Sequence, residues 1–299
     1  MARRVRVFQV DAFTALRHGG NPAAVVLDAE RLDEQEMQAL ARELRGGDSA
    51  FVFPADADDH DVRVRFFTPR AEVSFVGHAT IAVLAVRAAL GLAPAQRQKQ
   101  RNGIVATGCS GTAGNRSYFF SLTPPPLRAA PAAAALDSVL AAFALDRSDL
   151  DAQCPATVAG ENGSRLLLAA RDGHVLARLR PDLAQLSELS RGGCPPGYFI
   201  YTRFPAETGC DTEARMFCPA IGIDEDPVSG NAHALLAAYL DTLGVLPGRP
   251  GDRAFTGKQG HHMGRPGEVR VTLGPSGSPH GPVRIEGHAA IAFEATIDF

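Results

Sequence analysis

The sequence predicts an α+β protein of two like, pseudo-symmetric domains, each a mostly antiparallel sheet wrapped around one central helix. Three observations carry that expectation. The chain repeats itself at half its length, several short stretches alternate apolar and polar residues, and two helical runs are apolar almost all round. The 299 residues are 45% apolar and 21% charged, which is enough for two sizeable cores. Thirty glycines and 21 prolines supply the tight turns of a strand-rich chain.

The repeat is read from two anchors. Arg65-Phe66-Phe67-Thr68-Pro69 matches Arg215-Met216-Phe217-Cys218-Pro219 at an offset of 150. Phe75-Val76-Gly77-His78-Ala79 matches Val228-Ser229-Gly230-Asn231-Ala232 at an offset of 153. An apolar run follows each, and each ends in Leu-Gly, at Gly91 and Gly244, so the spacing from the first glycine to the last is 14 in both copies. The loop between the anchors is three residues longer in the second copy. A period this long means two similar domains rather than a solenoid of short repeats.

The elements follow in order. Val5 to Val10 and Val62 to Phe67 alternate with period two and read as strands, with Ala23 to Leu27 and Ala50 to Phe53 as further strands. Asp33 to Leu44 places Met37, Leu40 and Leu44 on one side and acidic residues early, as a helix does. Ala79 to Leu90 has Arg87 as its only charge and Ala232 to Leu243 has only Asp241, so both read as buried helices. The proline-rich stretch from Thr123 to Pro131 reads as the linker between domains, because proline cannot pair in a central strand. A helix then runs from Pro131, near N1, to Leu145. Ile104 to Leu122, Arg165 to Arg180, Gly197 to Phe204, Val269 to Leu273 and Val283 to Phe299 read as mostly strands, and Gly274 to Gly281 as a loop. Gly108 to Gly114 reads as a hairpin turn.

Charge and cysteine usage narrow the function classes. A net charge of −3 does not favour a nucleic-acid surface. No apolar run approaches the roughly 20 residues of a membrane span, and the basic start lacks the apolar core of a signal peptide. Five cysteines, with no C-x-x-C, argue against a disulfide framework or a structural zinc site, and fit a reduced, cytoplasmic protein. His261-His262 lacks the spacing of a metal-binding helix, and no metal is expected.

In each copy a glycine opens a buried helix. The first N–H groups of a helix have no internal partner and carry roughly half a positive charge, which suits an anion. Gly77 and Gly230 read either as plain helix-entry turns or as two walls of a carboxylate pocket in a cleft between the domains. The polar residues beside them, His78, Asp226, Ser229, Asn231 and His233, favour the pocket. Ser229 and His233 are four apart, but without a Gly-x-Ser-x-Gly elbow they do not indicate a hydrolase.

Gly20-Asn21-Pro22-Ala23-Ala24-Val25-Val26-Leu27, Phe67-Thr68-Pro69-Arg70-Ala71-Glu72, Phe75-Val76-Gly77-His78-Ala79-Thr80, Glu225-Asp226-Pro227-Val228-Ser229-Gly230-Asn231-Ala232 and Gln259-Gly260-His261-His262-Met263-Gly264-Arg265-Pro266 stand in one order along most of the chain. Together they resemble the phenazine-biosynthesis PhzF-like family. The resemblance implies the diaminopimelate-epimerase-like fold, with residues 1–122 plus about 288–299 as one domain and 123–287 as the other, and the active site between them. It also implies a homodimer and cofactor-independent isomerisation of a small carboxylate-bearing molecule, similar to trans-2,3-dihydro-3-hydroxyanthranilate isomerase. The family's proton-shuttling Glu is replaced here by Asp48, one methylene shorter, so a catalytically silent ligand-binding relative is the alternative. On the resemblance Asp48, His78 and Asp226 are the catalytic candidates, and Asn21, Gly77, Gly230 and Asn231 the substrate-binding ones. Asp48 and Asn21 also read as ordinary turn residues. Phe51, Val52 and Val76 are expected to form an apolar surround that raises the pKa of Asp48. The related epimerases carry a cysteine before each turn, and Val76 and Val228 hold those places, which argues against a two-thiol racemase.

Overall fold

A computed structural model describes residues 4–44, 47–112, 114–123, 127–160, 164–206, 209–247, 253–274 and 281–298. The chain divides into two compact units, Met1–Leu122 with Ile285–Phe299, and Thr123–Arg284.

The first unit begins with strands β1 (Arg4–Ala12) and β2 (Asn21–Leu27), then helix α1 (Glu34–Glu43). Asp33 caps α1 by accepting from the Glu36 N–H while the Glu36 carboxylate accepts from the Asp33 N–H, a reciprocal capping box. Strands β3 (Asp48–Pro54), β4 (Val62–Phe67) and β5 (Glu72–Val73) follow, then α2 (Gly77–Ala89), β6 (Arg97–Gln100), β7 (Gly103–Thr112) and β8 (Asn115–Leu122). β4 is the plainest case of sequence setting structure: Val62, Val64 and Phe66 are buried while Arg63 and Arg65 reach outward. α2 is buried from Ala79 to Val86 because no charge interrupts it before Arg87.

The second unit runs through β9 (Arg128–Ala129), α3 (Ala133–Ala142), β10 (Thr157–Ala159), β11 (Arg165–Ala169), α4 (Gly173–Ala177), α5 (Leu183–Arg191), β12 (Gly197–Thr202) and β13 (Thr212–Cys218). It continues with β14 (Ile223–Asp226), α6 (Gly230–Leu243), β15 (Ala254–Gln259) and β16 (Gly267–Leu273). β17 (Val283–Gly287) leads the chain back, and β18 (Ala289–Asp298) pairs antiparallel with β1 through a bulge at Gln9/Val10.

The pairing order is the same in both units. β2–β3 is parallel, β3–β4 and β4–β5 antiparallel, β4–β6 parallel and β6–β7 antiparallel. β11–β12, β12–β13, β13–β14, β13–β15 and β15–β16 repeat those five relations in turn. Antiparallel pairs predominate, as the fold class requires. In the first unit α2 packs on β1, β2, β3, β8 and β18, so the sheet wraps it. α1 covers the opposite face, with Met37 and Leu40 against Val5, Val26, Phe51, Phe53 and Phe67.

Four expectations change. Arg165 to Arg180 is strand only to Ala169; Asp172 then accepts the Val175 N–H and starts the short helix α4. Pro131 precedes the N-cap Ala132 rather than lying near N1. The proposed linker contains a strand, β9, which pairs with β10, while its residues 124–126 lie outside the described residues. Helix α5, capped by the Asp182 carboxylate, was not expected at all. Residues 275–280 of the expected Gly274 to Gly281 loop also lie outside the described residues. All five cysteines are free thiols, and no described helix is long and apolar enough to cross a membrane.

Candidate active site

The first unit brings Asp48 and His78 together, although 30 residues separate them in sequence. Asp48 opens β3 and sits beside Ala23 of β2 in parallel register. Gly47 makes that close approach possible: its φ is +147°, and a Cβ there would lie 2.1 Å from the Pro22 carbonyl oxygen. His78 is the second residue of α2, which packs on the same sheet. Its Nε2 lies 3.7 Å from Oδ2 of Asp48, an ion-pair distance rather than a hydrogen bond. The side chains are only 13% and 23% exposed, so the pair is largely shielded from water.

Burial pushes the Asp48 carboxyl up to about 6. The surround differs from the expectation in one respect. Residues of a strand alternate faces, so Asp48, Ala50 and Val52 share one face while Phe51 points to the other, into the core under α1. Phe51 therefore does not shield Asp48. On the face that Asp48 shares, Ala50 pairs with Phe66, whose ring meets Phe75 edge-on at 6.4 Å.

Asn21, the first residue of β2, is buried opposite Ala12 of β1. Gly77 begins α2, and the N-cap Val76 supplies no side-chain acceptor. An anion at this end would meet N–H groups that no side chain caps.

The second unit builds the matching turn differently. Gly230 begins α6, and Ser229 caps it by accepting the Ala232 N–H. Asn231 stands where His78 stands in the first unit, and its Oδ1 is buried without accepting a hydrogen bond among the described residues. Asp226 ends β14. His233 is wholly buried and its Nδ1 bonds the Ser229 carbonyl, not the hydroxyl, so Ser229 and His233 do not form a nucleophile–base pair. Among the described residues no group of three His, Cys, Asp or Glu is placed to hold a metal.

Two contributions went unread in the sequence. Buried Gln259 donates from Nε2 to the Asp226 carbonyl at 2.6 Å and accepts the Ser229 N–H at 3.1 Å. It ties both ends of the Asp226–Ser229 loop from beneath. Gly260, with φ +88°, lets that strand end pass close, since a Cβ would lie 2.2 Å from the Arg265 carbonyl and 2.8 Å from the Pro227 carbonyl. The Gln259-Gly260 pair was visible as a motif, but its target lies 33 residues away. Gly260→Ala is expected to destabilise the second unit by about 2–4 kcal/mol, because backbone on both sides must move. Urea unfolding followed by circular dichroism checks it.

His233 gives a pH prediction. Burial lowers its pKa to about 4 from 6.5, so it is neutral in the folded protein while the unfolded chain takes up the proton first. Stability from this group is full above pH 6.5 and is lost as pH falls toward 4, by up to about 3 kcal/mol. His233→Gln is expected to flatten that acid limb in urea midpoints measured between pH 7 and 4.

Compared with known proteins, the PhzC-PhzF family profile, described as phenazine biosynthesis-like protein, matches residues 10–295. The uncharacterized isomerase YddE of Escherichia coli K12 is 37% identical, with 97% of each chain covered. A PhzF-family phenazine biosynthesis protein from Bacillus anthracis superposes with a TM-score of 0.86 at 24% identity, covering 99% of both chains. A hydroxyproline epimerase from Agrobacterium vitis shares the fold at a TM-score of 0.61 and 13% identity, over 99% of this chain and 93% of its own.

Proposed function

The chain belongs to the phenazine biosynthesis-like PhzC-PhzF family, and from that premise we propose that it is a cofactor-independent isomerase moving a proton within a small carboxylate-bearing substrate. The observation that carries this reading is the Asp48–His78 pair. A carboxyl with a pKa of about 6 is poised to take and return protons near neutral pH. Asp48 would remove the proton and His78, at 3.7 Å, would hold or relay it. The N-terminus of α2 at Gly77 would take the substrate carboxylate. Asn21 is assigned to the same substrate, as are Gly230 and Asn231, with Asp226 orienting its amino or hydroxyl group. The same reading gives a substrate of the dihydrohydroxyanthranilate kind, a cytoplasmic location and a homodimer, which light scattering checks.

The alternative is a silent ligand-binding relative, supported by the shorter carboxylate at position 48. Turnover in heavy water separates the two. The isomerase incorporates deuterium at the product carbon of trans-2,3-dihydro-3-hydroxyanthranilate or a related unsaturated amino or hydroxy acid; a binder leaves all of them unlabelled.

A further inference from the structure

α2 carries a second feature at its other end. Arg87 lies nine residues beyond His78, or about 13 Å along the helix. There a cavity of about 260 Å³ is walled by Leu84, Leu92 and Pro94 and edged by Arg87, Cys109 and Arg116. Both arginines line it, and neither forms an ion pair with a carboxylate among the described residues. Arg87 donates from Nη2 to the Ala93 carbonyl at 3.0 Å, its buried Nε makes no hydrogen bond among the described residues, and Asp61 attracts it from beyond ion-pair range. Arg116 stands two residues before Tyr118 on β8, on the same face of the strand.

Compensation of the helix dipole accounts for part of this. A helix C-terminus carries about half a negative charge and favours one cation. Yet the last carbonyls of α2 are already engaged, with the Leu90 N–H on Val86 at 3.1 Å and the Leu92 N–H on Arg87 at 2.9 Å. Arg116 comes from β8 and has no such duty. Two full positive charges beside an apolar wall exceed what the helix end offsets, and half-buried cations without an ion-paired carboxylate are costly.

We propose that this cavity binds a small amphipathic monocarboxylate, with its carboxylate on Arg87 and Arg116 and its hydrocarbon part against Leu84, Leu92 and Pro94. At about 260 Å³ the space is below that of drug-sized pockets, which fits a molecule of about ten heavy atoms. Such a ligand binds in the range of about 0.1–10 mM. The site is separate from the Asp48–His78 pair and does not depend on the reaction assigned to it.

Cys109 supplies the readout. It lines the cavity and is partly exposed, whereas Cys154, Cys194 and Cys218 are buried, and partly exposed Cys210 lies in the second unit as an internal control. The full chain is treated with iodoacetamide with and without 10 mM sodium octanoate, and each cysteine is followed by peptide mass spectrometry. Octanoate is expected to slow alkylation of Cys109 at least threefold and leave Cys210 unchanged. Arg87→Gln and Arg116→Gln are each expected to remove most of that protection. Arg116→Gln leaves the Arg87–Ala93 brace of the helix end intact, so a folding defect in Arg87→Gln does not decide the matter. Absence of protection by octanoate overturns the proposal. So does equal protection by uncharged octanol or by inorganic phosphate, or protection that survives in the Arg116 variant.

Discussion

Asp48→Asn is expected to slow isomerisation by about 10²–10⁴-fold, the usual contribution of a positioned acid–base group, while substrate binding survives. The same substitution is expected to stabilise the first unit above pH 6. A carboxyl that ionises at about 6 in the folded protein and near 3.8 in the unfolded chain favours folding in its protonated form. That contribution is full below pH 3.8 and is lost as pH rises through 6, at a cost of up to about 3 kcal/mol at pH 8. Asparagine keeps the size and polarity without the charge. The unfolding midpoint of Asp48→Asn should therefore exceed the parent's at pH 8 and match it at pH 3. Activity and stability moving in opposite directions is the signature of a group held for chemistry rather than for folding. Asp48→Glu restores the family's usual reach and should retain activity or raise it. If Asp48→Asn turns over at the parent rate, Asp48 leaves the mechanism and His78 becomes the candidate base.

What was legible in the sequence, and what was not, follows from range. β4 and α2 announce themselves because each is a run of one period: Val62 to Phe67 alternates, and Gly77 to Val86 contains no charge. α4 hides because its five residues are too few to show helical spacing, and its one signal is the Asp172 cap. The side on which Phe51 lies follows from the strand alone, since residues three apart face opposite ways and Phe51 leaves the face of Asp48. The 3.7 Å approach of His78 to Asp48 was open to sequence only by resemblance, because it depends on β2, β3 and α2 packing as they do. The Gln259 brace has a motif but no partner nearby in sequence, so its role is set only by the tertiary fold.

The half-length repeat preserves one interaction that predicts a large and unequal cost. Arg65 grips Glu72 with Nε and Nη2, both at 2.8 Å, and Arg215 grips Glu225 in the same way at the same distances. Each glutamate stands five residues before the glycine that opens the central helix, Gly77 or Gly230. Both pairs thus fix the strand leading into a candidate substrate-binding turn. Their surroundings differ. In the first unit Arg65 also meets the exposed Glu34, and Arg101 lies 3.8 Å from Glu72 as a reserve cation. In the second unit Glu225 is as shielded as Glu72, 16% against 17% exposed, but no second cation ion-pairs with it among the described residues. Arg215→Met is therefore expected to cost about 3–5 kcal/mol by stranding a shielded carboxylate, whereas Arg65→Met should cost about 1–2 kcal/mol. Arg215→Met combined with Glu225→Leu should recover most of the loss, because removing both charges removes the desolvation cost of each. Urea unfolding of the four variants at pH 7, the fourth being Glu225→Leu alone, closes the double-mutant cycle. Equal costs in the two units would mean that the reserve cation Arg101 does not protect Glu72, and that the clamps are worth the same wherever they stand.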